Sequence, residues 1–353
     1  MIKVLVVEDS PVTREYLVAL LEEDPRFQVV GTARNGLEAV EQAERLAPDV
    51  ILMDVHMPLM NGYEATCRIM ELVPTPIVMV SASISHDETA MAFEALKAGA
   101  LTLLDKPGGP DHPDSAETVR QILETVKLMA EVKVVRRWPQ RSRRPLRQAQ
   151  GRPEAPAVIS GRPIRLVAIG ASTGGPQALA EILRGLPANL AAPILIVQHI
   201  APGFTVGLVE WLGQATPLTV KLAEPDELAR PGAVYVAPVG AQMGMAKDGR
   251  ISLQQAPPEE GFCPSASYLL RSVAEGYGRS AIGVLLTGMG RDGATGLKRL
   301  REAGGITIVQ DEESSVIFGM PAEAIRLRAA EHVLAPAQIA EMIGSLAGAG
   351  DRG

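Results

Sequence analysis

Apolar residues recur along this chain in short, nearly continuous runs, separated by stretches in which they return every three or four positions. In the first third the runs are "IKVLVVED" (2–9), "FQVVGTA" (27–33), "VILMD" (50–54), "PIVMVSA" (76–82) and "ALTLLDK" (100–106). Between them lie helical patterns such as "REYLVALLEED" and "GLEAVEQAERLA". Strand alternating with helix five times predicts a parallel, doubly wound sheet, because a parallel return needs a crossover helix. The alternation starts again further on, at "IRLVAIG" (164–170), "APILIVQH" (192–199), "GAVYVAPV" (232–239), "SAIGVLLTG" (280–288) and "GITIVQD" (305–311). There "GPQALAEILRGL", "GATGLKRLREAG" and "PAEAIRLRAA" read as helices. The prediction is α/β throughout, as two doubly wound parallel-sheet domains.

The stretch between the two alternations has no period. "RRWPQRSRRPLRQAQGRPEAPAVISGRP" is rich in Pro, Arg, Gln and Ser and reads as a polar tether. Charge marks the same divisions. The formal net charge is -9 over residues 1–106, +8 over 131–165 and -4 over 166–353. The expected organisation is a first domain over 1–125, a basic linker over 126–163 and a second domain over 164–346.

Composition narrows the class. The 353 residues are 46% hydrophobic but 3% aromatic, enough for two aliphatic cores. The overall net charge of -7 argues against a generic nucleic-acid binder. Cys67 and Cys263 stand far apart with no motif around them, so neither a disulfide framework nor a zinc site is expected, and a reducing cytoplasm fits. The N-terminus lacks the features of a signal peptide, and no apolar run approaches the roughly 20 residues that span a bilayer, so direct membrane insertion is not expected.

Doubly wound sheets place ligands at the carboxyl ends of their strands. In the first domain those ends carry Glu8 and Asp9, Asp54, Ser81, and Lys106 followed by Pro107. Converging carboxylates repel one another unless a hard cation such as Mg²⁺ sits among them. A lysine and a hydroxyl beside them suit a phosphoryl group arriving on one carboxylate. This set resembles the receiver domain of response regulators, a flavodoxin-like fold. The resemblance implies phosphorylation of Asp54 by a histidine kinase, with Mg²⁺ held by Glu8, Asp9 and Asp54. Ser81 then senses the phosphoryl group and Lys106 pairs with it. Many receivers carry an aromatic switch three residues before the lysine; here that residue is Leu103.

In the second domain the strand ends carry Ser172, His199 and Asp292. Gly170, Ser172 and Gly174 form a G-x-S-x-G corner between strand and helix, where small neighbours leave a hydroxyl exposed. A serine hydroxyl needs a base to become a nucleophile. Of the five histidines (56, 86, 112, 199 and 332), only His199 ends a strand of this sheet. An imidazole base needs an acceptor on its other nitrogen, and Asp292 in "TGMGRDGATG" is the candidate. The chain order Ser…His…Asp differs from the Ser…Asp…His order of α/β-hydrolases.

"GASTGGPQAL", "VQHIAPGFT", "YVAPVGAQM" and "LLTGMGRDGATGLKRLREAGGITIVQDEESSVIFGMPAEAI" resemble the signature blocks of the chemotaxis protein-glutamate methylesterase (CheB) family over about 165–343. The resemblance implies a Rossmann-like methylesterase domain with Ser172 as nucleophile, His199 as base and Asp292 as orienter. Thr173 and the backbone N–H of Met289 are oxyanion or substrate candidates. It implies hydrolysis of glutamate methyl esters on methyl-accepting chemoreceptors, deamidation of receptor glutamines, no cofactor for the hydrolase, and control by a receiver that covers the cleft. Two positions depart from the family pattern: Gln242 replaces a histidine and Ser267 an aspartate, and both are candidates for the cleft lining. A competing reading makes the second domain a binding module, with the basic linker contacting nucleic acid. The linker holds a single aromatic, Trp138, and no helix-turn-helix pattern, which disfavours it.

Overall fold

A computed structural model describes residues 1–81, 86–108, 115–132, 134 and 163–348, with the side chains of 86–88 and 115–117 not described. The first unit runs β1 (Ile2–Val7), α1 (Pro11–Glu22), β2 (Phe27–Ala33), α2 (Gly36–Leu46), β3 (Val50–Asp54), α3 (Gly62–Leu72), β4 (Ile77–Ser81), α4 (His86–Ala98), β5 (Thr102–Asp105) and α5 (Ser115–Met129). Its five strands lie in the order β2-β1-β3-β4-β5, every pair parallel. The topological switch falls between β1 and β3, which opens a crevice above Glu8 and Asp54. Strands β3 and β4 are buried along their whole length, which is why they read as unbroken apolar runs rather than alternating ones. Helix α5 continues past residue 125, with Val126 and Met129 fully buried against the sheet.

The second unit runs β6 (Leu166–Ala171), α6 (Gly175–Gly185), β7 (Ile194–Gln198), α7 (Thr205–Ala215), β8 (Thr219–Leu222), β9 (Ala233–Val236), β10 (Gln242–Met245), β11 (Ile251–Gln254), α8 (Ala266–Gly276), β12 (Ala281–Leu285), α9 (Ala294–Glu302), β13 (Ile306–Gln310), α10 (Met320–Arg326), β14 (His332–Leu334) and α11 (Pro336–Ala347). Seven strands form one parallel sheet ordered β14-β13-β12-β6-β7-β9-β8, and β10 and β11 make a separate antiparallel hairpin. The switch lies between β6 and β12. Ser172 follows β6, His199 follows β7 and Asp292 lies beyond β12, so all three candidates sit around one switch point.

Two glycines make this corner possible. Gly174 caps α6 with φ of 78°, and a Cβ there would come within 2.5 Å of Val316. Gly293 caps α9 with φ of 89°, and a Cβ there would come within 2.4 Å of Leu285. No L side chain fits either place without displacing its neighbours.

The two units share a seam. Phe93 of α4 stacks on Trp211 of α7, ring centroids 5.6 Å apart. Gly207 of α7 faces Thr89 so closely that a Cβ would lie 2.1 Å from its methyl carbon. Gln177 Nε2 of α6 donates to Ala100 O, before β5, at 2.9 Å. Buried apolar side chains of both units form one continuous cluster across this contact. The basic segment, including Trp138, Arg141, Arg143 and Arg144, lies outside the described residues apart from its ends.

Candidate functional sites

The corner after β6 is held through its main-chain groups. Ser172 N–H donates to Thr287 O at 3.1 Å, and Ser172 O accepts from Gly175 N–H at 2.7 Å and from Gln198 Nε2 at 2.8 Å. These bonds fix the residue by its main chain and leave its hydroxyl for chemistry. Gly288 lies opposite, where a Cβ would come within 2.6 Å of the Ser172 Cβ. The first amides of α6 are not free donors, since Gly175 is engaged by Ser172 O and Pro176 has no N–H. The N–H groups of Thr173 and Met289 meet no acceptor among the described residues and face the same cleft.

His199 Nε2 lies 2.9 Å from Asp292 Oδ2. The Asp292 carboxylate is fully buried and accepts from five groups. Ser265 Oγ (2.8 Å), Ser267 N–H (2.9 Å) and Gly293 N–H (2.8 Å) meet Oδ1; Ala266 N–H (2.7 Å) and His199 meet Oδ2. Burial pushes this acid up, but the hydrogen bond and charge of His199, with the Ser267 amide and Ser265 hydroxyl, outweigh it and bring the pKa down to about 2. A carboxylate so placed only accepts, so it holds a proton on Nε2, and in the neutral ring that leaves the lone pair on Nδ1. Nδ1 is buried without a hydrogen-bond partner among the described residues, and the imidazole lies flat on Phe262, centroids 3.8 Å apart and planes within 2°. Ser172 and His199 line the same cleft, and no hydrogen bond joins the serine hydroxyl to Nδ1, so the ring is oriented by Asp292 and Phe262 while its second nitrogen is left unengaged.

At the first sheet, Lys106 Nζ lies between two buried carboxylates, 2.9 Å from Glu8 Oε2 and 2.8 Å from Asp54 Oδ2. Asp9 is exposed beside them, and oxygens of Glu8, Asp9 and Asp54 lie within 4.8 Å of one another. Burial, then the charge of Asp54, pushes the Glu8 carboxyl up against the pull of Lys106. Burial likewise raises Asp54, again opposed by Lys106. Glu8 Oε2 meets no aligned hydrogen-bond donor although the ammonium is near. Three convergent carboxylate oxygens fit a hard divalent cation such as Mg²⁺. Ser81 ends β4 and is buried, and its carbonyl accepts from Lys106 N–H at 3.0 Å.

A cleft of about 1030 Å³ runs between the two units. Ser172, His199, Phe262 and Met289 line one wall; Ser81, Leu103, Lys106 and residues of α5 line the other. Leu103 is buried in β5, so the position that carries an aromatic in many receivers here faces the seam with an aliphatic side chain.

Residues 167–343 match the model of the CheB methylesterase domain, and residues 4–112 that of the response regulator receiver domain. The chain belongs to the CheB methylesterase family. It is 51% identical over 350 residues to a Geobacter metallireducens protein named protein-glutamate methylesterase/protein-glutamine glutaminase 4, covering 98% of this chain and 99% of that one. A Syntrophus aciditrophicus protein named protein-glutamate methylesterase/protein-glutamine glutaminase 1 is 50% identical over 349 residues, covering 99% of both chains. Among solved structures, the CheB methylesterase catalytic domain of Thermotoga maritima matches 52% of this chain and 98% of its own, at 40% identity and a TM-score of 0.50.

Two residues set apart from the CheB pattern do not line the cleft as expected. Gln242 and Ser267 are both fully buried. Ser267 Oγ accepts from Gly293 N–H at 2.7 Å and lies 3.1 Å from Thr295 Oγ1, so it ties the start of α8 to the turn carrying Asp292. Sequence reasoning missed Ser265 and Phe262 as parts of the site. Ser265 precedes a helical pattern and could have been found as an N-cap, for its Oγ accepts from Tyr268 N–H. Phe262 carries no local signal at all.

Proposed function

We propose that this protein is a serine hydrolase that removes methyl esters from chemoreceptor glutamates and deamidates receptor glutamines, under control of Asp54 phosphorylation. The observation that carries the reading is the His199–Asp292 couple with its open Nδ1, beside a hydroxyl fixed on a backbone corner. Ser172 Oγ attacks the side-chain carbonyl carbon while His199 Nδ1 takes its proton. The oxyanion is received by the N–H groups of Thr173 and Met289. His199 returns the proton to the leaving oxygen, methanol departs, and the acyl group stays on Ser172. Water attacks this ester, His199 takes its proton, and glutamate and Ser172 are released. With glutamine the leaving group is ammonia and the remaining steps are the same.

Asp54 is the proposed phosphoryl acceptor, with a chemotaxis-type histidine kinase as donor. Mg²⁺ held by Glu8, Asp9 and Asp54 would screen the incoming phosphoryl oxygens. Lys106 pairs with the product and Ser81 contacts it, on the wall of the cleft that faces Ser172. The seam restricts access to that cleft in the unphosphorylated chain. We place the enzyme in the cytoplasm, beside its kinase and the receptor segments it acts on; among the described residues no helix is long and apolar enough to cross a membrane.

The test is methanol release from methylated receptor fragments by the full chain, with and without a small-molecule phosphoryl donor. Release that rises with the donor supports the reading. No release in either condition, with ordered salt-dependent DNA binding instead, would replace it with the binding-module reading.

A further inference from the structure

We infer that Gln242 is a positioning residue for the His199–Asp292 couple, acting through the segment 257–265; the inference rests on the reading of those residues as base and orienter. Gln242 opens β10 and is completely buried. Its side-chain oxygen accepts from Ser265 N–H at 2.8 Å, and its Nε2 donates to Phe262 O at 3.0 Å and, at 3.4 Å, to Pro257 O. A single amide thus pins both ends of the step from Phe262 to Ser265. Each end reaches the site by a different route. The Phe262 ring lies on the His199 imidazole, and the Ser265 hydroxyl with the two amides after it holds the Asp292 carboxylate. Releasing Gln242 frees the ring and the cap together.

The role needs a donor and an acceptor on one side chain. Glutamine supplies both, and a neutral imidazole also can. A carboxylate accepts from Ser265 but puts an oxygen against Phe262 O, and a thioether serves neither partner. Leaving buried backbone groups unpaired shifts the segment, and misplacement of a reacting group by about 1 Å costs on the order of 10²-fold in rate. Gln242 meets no substrate, so the loss belongs in kcat.

The experiment compares Gln242→Met, Gln242→Glu and Gln242→His in the full chain, with histidine rings labelled by ¹³C. Phe262→Leu assigns the His199 ring signals, because only they lose the upfield ring-current displacement of a stacked phenyl. In the Met and Glu variants we expect that displacement to be lost and kcat to fall on the order of 10²-fold with KM within about twofold. The His variant is expected to keep both. Unmoved signals of His56 and His332 report that each variant is folded. Wild-type His199 signals in the folded Met and Glu variants would overturn the inference, whatever the rate. Displaced signals with an unchanged rate would uphold the positioning role and count instead against His199 as the base.

Discussion

Asp54 and Asp292 each end up buried at the carboxyl edge of a parallel sheet, yet they are pushed in opposite directions. Asp292 receives five hydrogen bonds, and its pKa falls to about 2. Asp54 and its neighbour Glu8 share one ammonium, and burial raises both. A carboxylate with every lone pair engaged is finished as a ligand. In the proposed mechanism it orients the imidazole and steadies its charge. Carboxylates left short of donors attract a cation or accept a group. The same fold edge makes an orienter or an acceptor according to how many N–H and O–H groups point at it.

The largest effects should come from breaking the hydrolase side of this contrast. Ser172→Ala removes the oxygen proposed to attack and, with the corner held through its main-chain groups, little else. Methanol release should fall by on the order of 10⁴–10⁶. A variant keeping a tenth of the wild-type rate would remove Ser172 from the mechanism. Asp292→Asn should cost about 10⁴, since an amide facing His199 favours the wrong tautomer.

The depressed acid has a consequence for stability as well. With a folded pKa of about 2 against an ordinary 3.8, Asp292 stabilises the fold above its unfolded value, and the contribution is lost as pH falls from about 4 to about 2. The shift corresponds to roughly 2 kcal/mol. Acid unfolding of Asp292→Asn should therefore show a shallower loss of stability over that window than wild type. Identical acid profiles would mean that the five donors do not hold the charge in solution.

A smaller effect tests the seam that joins the two sites. Gly207→Leu drives a side chain into Thr89 across α7 and α4, away from every residue of either site. The unphosphorylated chain should then hydrolyse ester faster, by a factor within the 5- to 150-fold typical of coupling between domains. Asp54→Asn should leave the slow form slow. A Gly207→Leu chain that is slower than wild type would show that contact with the receiver activates the hydrolase rather than covering it.

How far these sites could be read from sequence depends on what each residue is held by. Strands buried on both faces read as apolar runs, and the first polar residue after each run marks a strand end. Glu8, Asp54, Ser172, His199 and Asp292 all stand at or soon after such ends. The short outer strands β8 and β14 escaped notice because partial exposure leaves them without an apolar run. Three of the five donors to Asp292 come from 25 to 27 residues earlier in the chain, across a packing contact that no local period encodes. The Phe262–His199 stack and the Phe93–Trp211 seam were hidden for the same reason. Each partner alone looks like an ordinary apolar residue.

The smallest expected effect sharpens the receiver side. Carboxylates whose pKa values are raised in the fold favour it most when protonated, and that advantage is lost as pH rises through their folded values. At neutral pH the Glu8–Asp54 pair therefore costs stability that Lys106 offsets only in part. A divalent cation reaching Glu8, Asp9 and Asp54 should relieve the rest. At a Mg²⁺ concentration about ten times its dissociation constant, linkage gives about 1.4 kcal/mol. For a domain of this size that is a rise of roughly 3–6 °C in the melting temperature of the receiver transition. Asp54→Asn should behave in the reverse sense. Removing a buried charge should raise the metal-free melting temperature, and removing a ligand should shrink the response to Mg²⁺. Calorimetry of both chains with and without the ion decides it. An equal response in wild type and variant would place the ion elsewhere, and the carboxylates of this edge would then answer to Lys106 and the backbone amides of Ser10 and His56.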